Sequence, residues 1–249
     1  MLKTQSAELR RQALLRNDFR SLRVALRRAD EQVAVIAEVK QASPSAGVIV
    51  EKFDPVEIAE RYRTAGADAI SVLTEEKFFK GNIDHLRRVR EVVKCPVLRK
   101  DFILDEIQIA ESVVAGADAI LLIVAALSQE ELVRFREIAA TYQLDAIVEV
   151  HSLSEMERAL DAEAEIIGIN NRDLTTLSVD LGVTEQLVEE IPAEVIAVSE
   201  SGIRTGEDFA RIAQSGVNAV LIGESFLRGH LSLDQIRRRL TANGAAEKN

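Results

Sequence analysis

A (βα)8 TIM barrel preceded by an extra N-terminal helix is the fold this sequence predicts, and three observations lead to it. Strand-like and helix-like segments alternate through the 249 residues. The strand-like runs are continuously apolar, the pattern of strands buried on both faces of a parallel sheet. In addition, AGADAI at 65–70 and 115–120 and SGVNAV at 215–220 are near copies, each leading into an apolar, β-branched run. Such copying marks a repeated supersecondary unit. Its glycine can end a helix in the left-handed conformation, after which the residues beyond Asp or Asn enter a strand. Eight parallel strands joined by helical crossovers close into a barrel. A doubly wound open sheet is the alternative, but no GxGxxG follows the first strand and the repeat runs to the end of the chain.

Taken in order, residues 6–29 read as a helix ahead of the barrel, with Leu9, Ala13, Leu22 and Leu26 among many arginines. It is expected to pack across one barrel end; a lid over the active site is the functional alternative. Strands are expected at 33–39, 68–73, 97–100, 118–124, 145–150, 165–169, 194–199 and 218–222. Between them lie the amphipathic patterns VEIAERYRTAG, DEIQIAESVVAG, SQEELVRFREIAATY and TGEDFARIAQSG. Several carry acidic residues in the first turn, where they complement the helix dipole. No Pro/Gly/Ser-rich linker interrupts the chain. Residues 1–249 are therefore expected to form a single barrel domain, with a helical extension at 1–32, the barrel at 33–242 and a disordered tail at 243–249.

Composition narrows the function classes. Apolar residues make up 47% of the chain with no tryptophan, enough for a large aliphatic core. A net charge of -10 disfavours a nonspecific binder of nucleic acid or anionic membranes, so any anionic ligand must be held by local groups. Cys95 is the only cysteine, which excludes an intramolecular disulfide. His85, His151 and His230 show no ligand-like spacing with it, so no metal is expected, and all three read as solvated or locally capped histidines. No apolar run is long enough to cross a bilayer and the N-terminus has no signal-peptide core, so a cytoplasmic location is expected.

In a barrel, chemistry belongs at the carboxyl ends of the strands and in the loops beyond. The first strand leaves through VAVIAEVKQASPSAG at 33–47, where the twofold period of a strand points Ile36, Glu38 and Lys40 the same way. Burying such charges costs several kcal/mol unless they are paired, solvated or kept for a ligand. The third strand exits through Lys100 and Asp101, the fifth through Glu149, the sixth through Asn170 and Arg172, and the seventh through Glu200 and Ser201. Any one of these could be a structural rim pair. Five converging on one end point to a site. AVSESGI and VLIGESF differ in kind, because Gly202 and Gly223 let backbone N–H groups approach an anion just before a helix starts. Adjacent strands seven and eight are where many barrels bind phosphate. Glu224 can offer its backbone N–H there while its side chain points away or caps the helix.

The strings EVKQASPSAG, LTEEKFFKG, LRKDFI, VEVH, GINNRDL, SESGI and LIGES, in this order from about Val33 to Arg228, resemble the indole-3-glycerol phosphate synthase family. The resemblance implies a phosphorylated small-molecule substrate, 1-(2-carboxyphenylamino)-1-deoxyribulose 5-phosphate, which closes its ring and loses carbon dioxide and water. It implies no cofactor and no metal. By the same resemblance Lys100 is the proton donor to the ribulose oxygen and Glu149 removes or relays a proton, with Glu38 orienting charge or sharing in proton transfer. Lys40 touches the substrate anion, Ser43 bonds the substrate, and Asn170 and Arg172 face its carboxyl and hydroxyls. Glu200 and Ser201 complete the rim, and Phe79 and Phe102 sandwich the aromatic ring or pack in the core. Phosphate is expected on Gly202, Gly223 and the Glu224 N–H, helped by Ser201 and Lys40. Fewer residues than usual precede the first strand, Ile107 stands where tyrosine is common, and Ala46 where a basic residue is. The alternatives are another phosphate-binding barrel isomerase, a Schiff-base aldolase using Lys100 or Lys40, or a non-catalytic subunit that binds a phosphorylated ligand. A monomer is expected, with an oligomer left open.

Overall fold

The computed structural model describes residues 2–27 and 32–237. Eight strands pair in parallel in chain order: β1 (Ala34–Val39), β2 (Ala69–Leu73), β3 (Val97–Lys100), β4 (Ala119–Ile123), β5 (Asp145–Val150), β6 (Ile166–Asn170), β7 (Ile196–Glu200) and β8 (Ala219–Ile222). Pairing of β8 with β1 closes the barrel. All eight expected strands are present. The sixth and seventh end one residue later than predicted, because Asn170 and Glu200 stay in register with each other across the β6–β7 ladder. A short antiparallel ribbon, Ala42–Ser43 with Gly47–Val48, follows β1.

The helices are α1 (Leu2–Leu15), α2 (Leu22–Leu26), α3 (Pro55–Thr64), α4 (Glu76–Phe79), α5 (Ile83–Val92), α6 (Glu106–Ala115), α7 (Gln129–Thr141), α8 (Leu153–Asp161), α9 (Gly182–Leu187), α10 (Gly206–Gln214) and α11 (Glu224–Leu227). Asp54, Asp105, Ser128, Ser152 and Thr205 each accept a first-turn backbone N–H. Such caps contribute about 1 kcal/mol apiece. No helix among the described residues is long and apolar enough to cross a membrane.

The recurring string has a double purpose. Gly66, Gly116 and Gly216 sit at φ of 90°, 96° and 95°, ending three helices in the left-handed region where a side chain is strained. Two residues on, the polar side chain reaches across to the preceding strand. Asp68 Oδ2 accepts the Val35 N–H at 2.7 Å, Asp118 Oδ2 that of Val97 at 3.0 Å, and Asn218 Oδ1 that of Ala197 at 2.7 Å.

Two cores result. One fills the space between barrel and helices; the other lies inside the barrel and includes Ala34, Ile36, Leu98, Ile147, Ile166 and Val198. Because inward positions recur every second residue, the next inward side chains on β1, β3, β5 and β7 are Glu38, Lys100, Glu149 and Glu200. Alternate strands supply each layer of a barrel interior, so these four form its uppermost layer.

The N-terminal extension departs from the expected single helix at 6–29, of which 28 and 29 lie outside the described residues. The chain leaves α1 after Leu15 and re-enters a helix at Ser21, whose side chain accepts the Val24 N–H. Between them, Arg16 pairs with the buried Asp118 at 2.7 Å and Arg20 donates to the carbonyls of Val93 and Cys95. These bonds turn the chain so that Leu22 and Leu26 enter the barrel interior beside Ala34 and Ala69, fully buried. The extension therefore plugs the amino-terminal end of the barrel. It is no lid, since the strand ends that carry Lys100 and Glu149 lie at the other mouth. The barrel's expected end at 238–242 and the tail at 243–249 also lie outside the described residues.

Candidate active site

The carboxyl ends of the strands open into a cavity of about 870 Å3, lined by every residue singled out in the sequence as catalytic, substrate-binding or phosphate-binding. That volume is typical of a pocket enclosing a drug-sized molecule. Its floor is the charged layer. Lys100 Nζ bonds Glu149 Oε2 at 3.0 Å and also Glu200 Oε2. Glu149 Oε1 accepts from Asn170 Nδ2 at 3.2 Å, and Lys40 Nζ lies 2.6 Å from Glu38 Oε1. Asn170 Oδ1 in turn accepts the Arg172 N–H at 3.0 Å, fixing the start of the loop after β6.

Burial splits the three floor groups apart. Desolvation works against the Lys100 ammonium, but the carboxylates of Glu149, Glu200 and Glu38 outweigh it and hold the lysine above its ordinary range. Desolvation raises the Glu200 carboxyl to about 7, only partly opposed by Lys100 and reinforced by Glu149. Glu149 meets the same desolvation, yet Lys100, His151 and the Asn170 bond draw it below the ordinary carboxylate value. Two carboxyl groups on one ammonium thus have opposite tendencies, one to hold a proton and one to stay ionised. Glu200 Oε1 is buried without a hydrogen-bond partner among the described residues. It lies directly over Gly168, where any side chain would collide with it and with Ile147.

At the β7 and β8 exits the backbone is shaped for close approach. Ser201 and Gly202 are both left-handed, at φ of 65° and 90°. A Cβ on Gly223 would lie 2.6 Å from Glu38 Oε1, so only glycine fits between that carboxylate and the cavity. The Glu224 side chain pairs with Arg228 of the next helical turn at 2.8 Å. Ser43 accepts the Ala46 N–H at 3.2 Å and pins the loop after β1.

Phe79 and Phe102 line the cavity, with Phe102 39% exposed. Neither belongs to the buried core. The sequence did not single out Phe78, 53% exposed on the same wall, nor Leu174 and Leu177 opposite. Exposed apolar side chains around a cavity mark a ligand-binding groove. FFKG contained the signal for Phe78. Arg204 and Arg228 also line the cavity and were overlooked, being charges in helical or loop context without a strand end to flag them. Of the histidines expected to be solvated or capped, His85 packs on Phe53 and His230 lines the cavity. His151 is largely buried between Glu149 and Glu155. Ile107 and Ala46 do not line the cavity. Among the described residues, no group of three or more His, Cys, Asp or Glu is arranged to hold a metal ion.

A (βα)8 barrel whose carboxyl-end cavity holds a buried lysine between two carboxyl groups, an apolar wall and two glycine exits falls in the class of barrel enzymes with a small-molecule site at that mouth. The family model for indole-3-glycerol phosphate synthase matches residues 1–239. Proteins of that name from Chloroherpeton thalassium and Caldanaerobacter subterraneus subsp. tengcongensis are 52% and 51% identical over 92% and 91% of this chain, and 86% of each relative. One from Acetivibrio thermocellus is 53% identical over 82% of the chain and 79% of its own length. The chain belongs to the indole-3-glycerol phosphate synthase family. This is a family of carboxy-lyases of tryptophan biosynthesis that act on a phosphorylated small molecule by decarboxylative ring closure.

Proposed function

We propose that Lys100 is the general acid and Glu149 the proton acceptor of indole-3-glycerol phosphate synthesis in this chain. The ring carbon that bears the carboxyl group attacks the ribulose carbonyl carbon, and the carbonyl oxygen takes a proton from Lys100. Carbon dioxide then leaves, returning its bonding electrons to the ring. The new hydroxyl departs as water with a second proton delivered through Lys100, while Glu149 takes the proton lost from the methylene carbon beside the nitrogen. Positioned transfers of this kind contribute ~10²- to 10⁴-fold each. The observation that carries the reading is the Lys100 ammonium bonded to both Glu149 and Glu200 on the cavity floor. An amine held protonated is a poor nucleophile, which argues against the Schiff-base alternative.

In this reading Glu38 orients Lys40, and Lys40 meets the substrate phosphate together with Ser201 and the N–H groups around Gly202, Gly223 and Glu224. Asn170 and Arg172 take the carboxyl and hydroxyls, Ser43 the near loop, and Phe79 and Phe102 the aromatic ring. Glu200, raised toward neutrality, holds the proton that resupplies Lys100. The chain is proposed to work as one monomeric, cytoplasmic barrel. The test is to add the purified protein to the carboxyphenylamino-deoxyribulose phosphate and follow indole fluorescence and carbon dioxide release. Absence of both at saturating substrate would refute the reading, and borohydride trapping of substrate on Lys100 would replace it with the aldolase.

A further inference from the structure

His151 lies just beyond β5, one residue after Val150, and its ring is gripped from two sides. Glu155 in the first turn of α8 accepts the His151 backbone N–H at 2.7 Å and faces ring Nδ1 at 3.1 Å. The opposite ring nitrogen, Nε2, lies 3.4 Å from Glu149 Oε1, the oxygen that Lys100 does not hold. Nε2 is buried and has no hydrogen-bond partner of good geometry among the described residues. If Nδ1 keeps its hydrogen for Glu155, a neutral ring would aim a lone pair at the Glu149 carboxylate; an imidazolium aims an N–H. The geometry favours the imidazolium.

We propose that His151, clamped by Glu155, is a positioning residue whose imidazolium backs Glu149 and keeps that carboxylate turned toward Lys100. The proposal rests on Glu149 being the proton acceptor. The titratable groups that act most on the ring are all carboxyl groups: Glu149 on β5, Glu155 on α8, Glu200 on β7, itself raised toward neutrality, and Asp173 in the loop after β6. Lys100 lies beyond Glu149. Burial lowers the affinity of the imidazole for its proton, but the bond to Glu155 and the charge of Glu149 overcome this and raise it above the ordinary histidine value. As pH rises through that raised value the cation is lost, and with it the backing of Glu149.

The test compares kcat and KM against pH for the parent, His151→Asn and Glu155→Gln, with melting temperatures recorded alongside. Loss of a positioning group is expected to lower kcat about tenfold, below the ~10²- to 10⁴-fold cost of losing a direct proton carrier. KM should stay within about twofold. The alkaline limb of the parent profile should shift to lower pH in Glu155→Gln and vanish in His151→Asn. If either variant folds poorly, the parent still decides the matter: with only three histidines in the chain, the His151 ring can be titrated by NMR. It is expected above the ordinary value of about 6.5, and downshifted in Glu149→Gln. A His151→Asn enzyme with the parent's kcat and pH profile, or a ring titrating at or below the ordinary value, overturns the proposal. Should Glu149→Gln itself retain the parent's turnover, the assignment of Glu149 as acceptor falls instead.

Discussion

Lys40 and Lys100 both reach into the same cavity, but their partners differ, and the proposed roles differ with them. Lys100 is bonded by two buried carboxyl groups on the floor, whereas among the described residues Lys40 pairs with Glu38 at 2.6 Å, beside the β8 exit at Gly223. Lys100→Met is expected to lower kcat by ~10²- to 10⁴-fold with binding retained. Lys40→Met is expected to raise KM strongly with a smaller change in kcat, and steady-state kinetics on both variants separates the two roles. Glu200 makes a prediction about stability. Its carboxyl, at about 7 in the folded chain against 4.5 ordinarily, binds its proton more tightly when folded. The stability this confers is complete below the lower value and is lost as pH rises through the upper one. Glu200→Gln cannot lose it. The melting temperature of Glu200→Gln relative to the parent should therefore climb between about pH 5 and about pH 8.

At the level of elements, the two mouths of the barrel do separate jobs. The extension fills the amino-terminal mouth with Leu22 and Leu26 and ties itself down through Arg16 and Arg20. Leu22→Ala or Leu26→Ala is expected to cost about 2–5 kcal/mol of stability in denaturant unfolding, with kcat and KM of the folded enzyme unchanged. A change in KM would mean that the plug communicates with the site. Strand β6 offers the opposite case. Gly168 packs no chemistry of its own, yet it makes the space in which Glu200 lies against Lys100. Gly168→Ala should displace that carboxylate and lower kcat more than it changes KM. A crystal structure of the variant with Glu200 unmoved would refute this account.

Across the whole molecule, the alternation of strands and helices was readable because a parallel barrel leaves apolar runs uninterrupted until their carboxyl ends. Glu38, Lys100, Glu149 and Glu200 were readable for the same reason, as charges breaking those runs. What stayed hidden depends on neighbours in space. The apolar spacing of Leu22 and Leu26 says that they are buried, not at which mouth. Gly168 looks like any strand glycine until Glu200 of the next strand lies over it, and His151 looks solvated until α8 brings Glu155 beside it. The Asp/Asn hooks of the repeated string carry one more consequence. They clasp β2 to β1, β4 to β3 and β8 to β7, but the corresponding start of β6 holds Glu165, which turns outward to Arg23. The barrel is thus buttoned in pairs with one button missing, at the seam that carries Glu149 and Asn170. Amide exchange should be slowest at Val35, Val97 and Ala197 and quicker along the start of β5, so that the wall that carries Glu149 is the one that breathes.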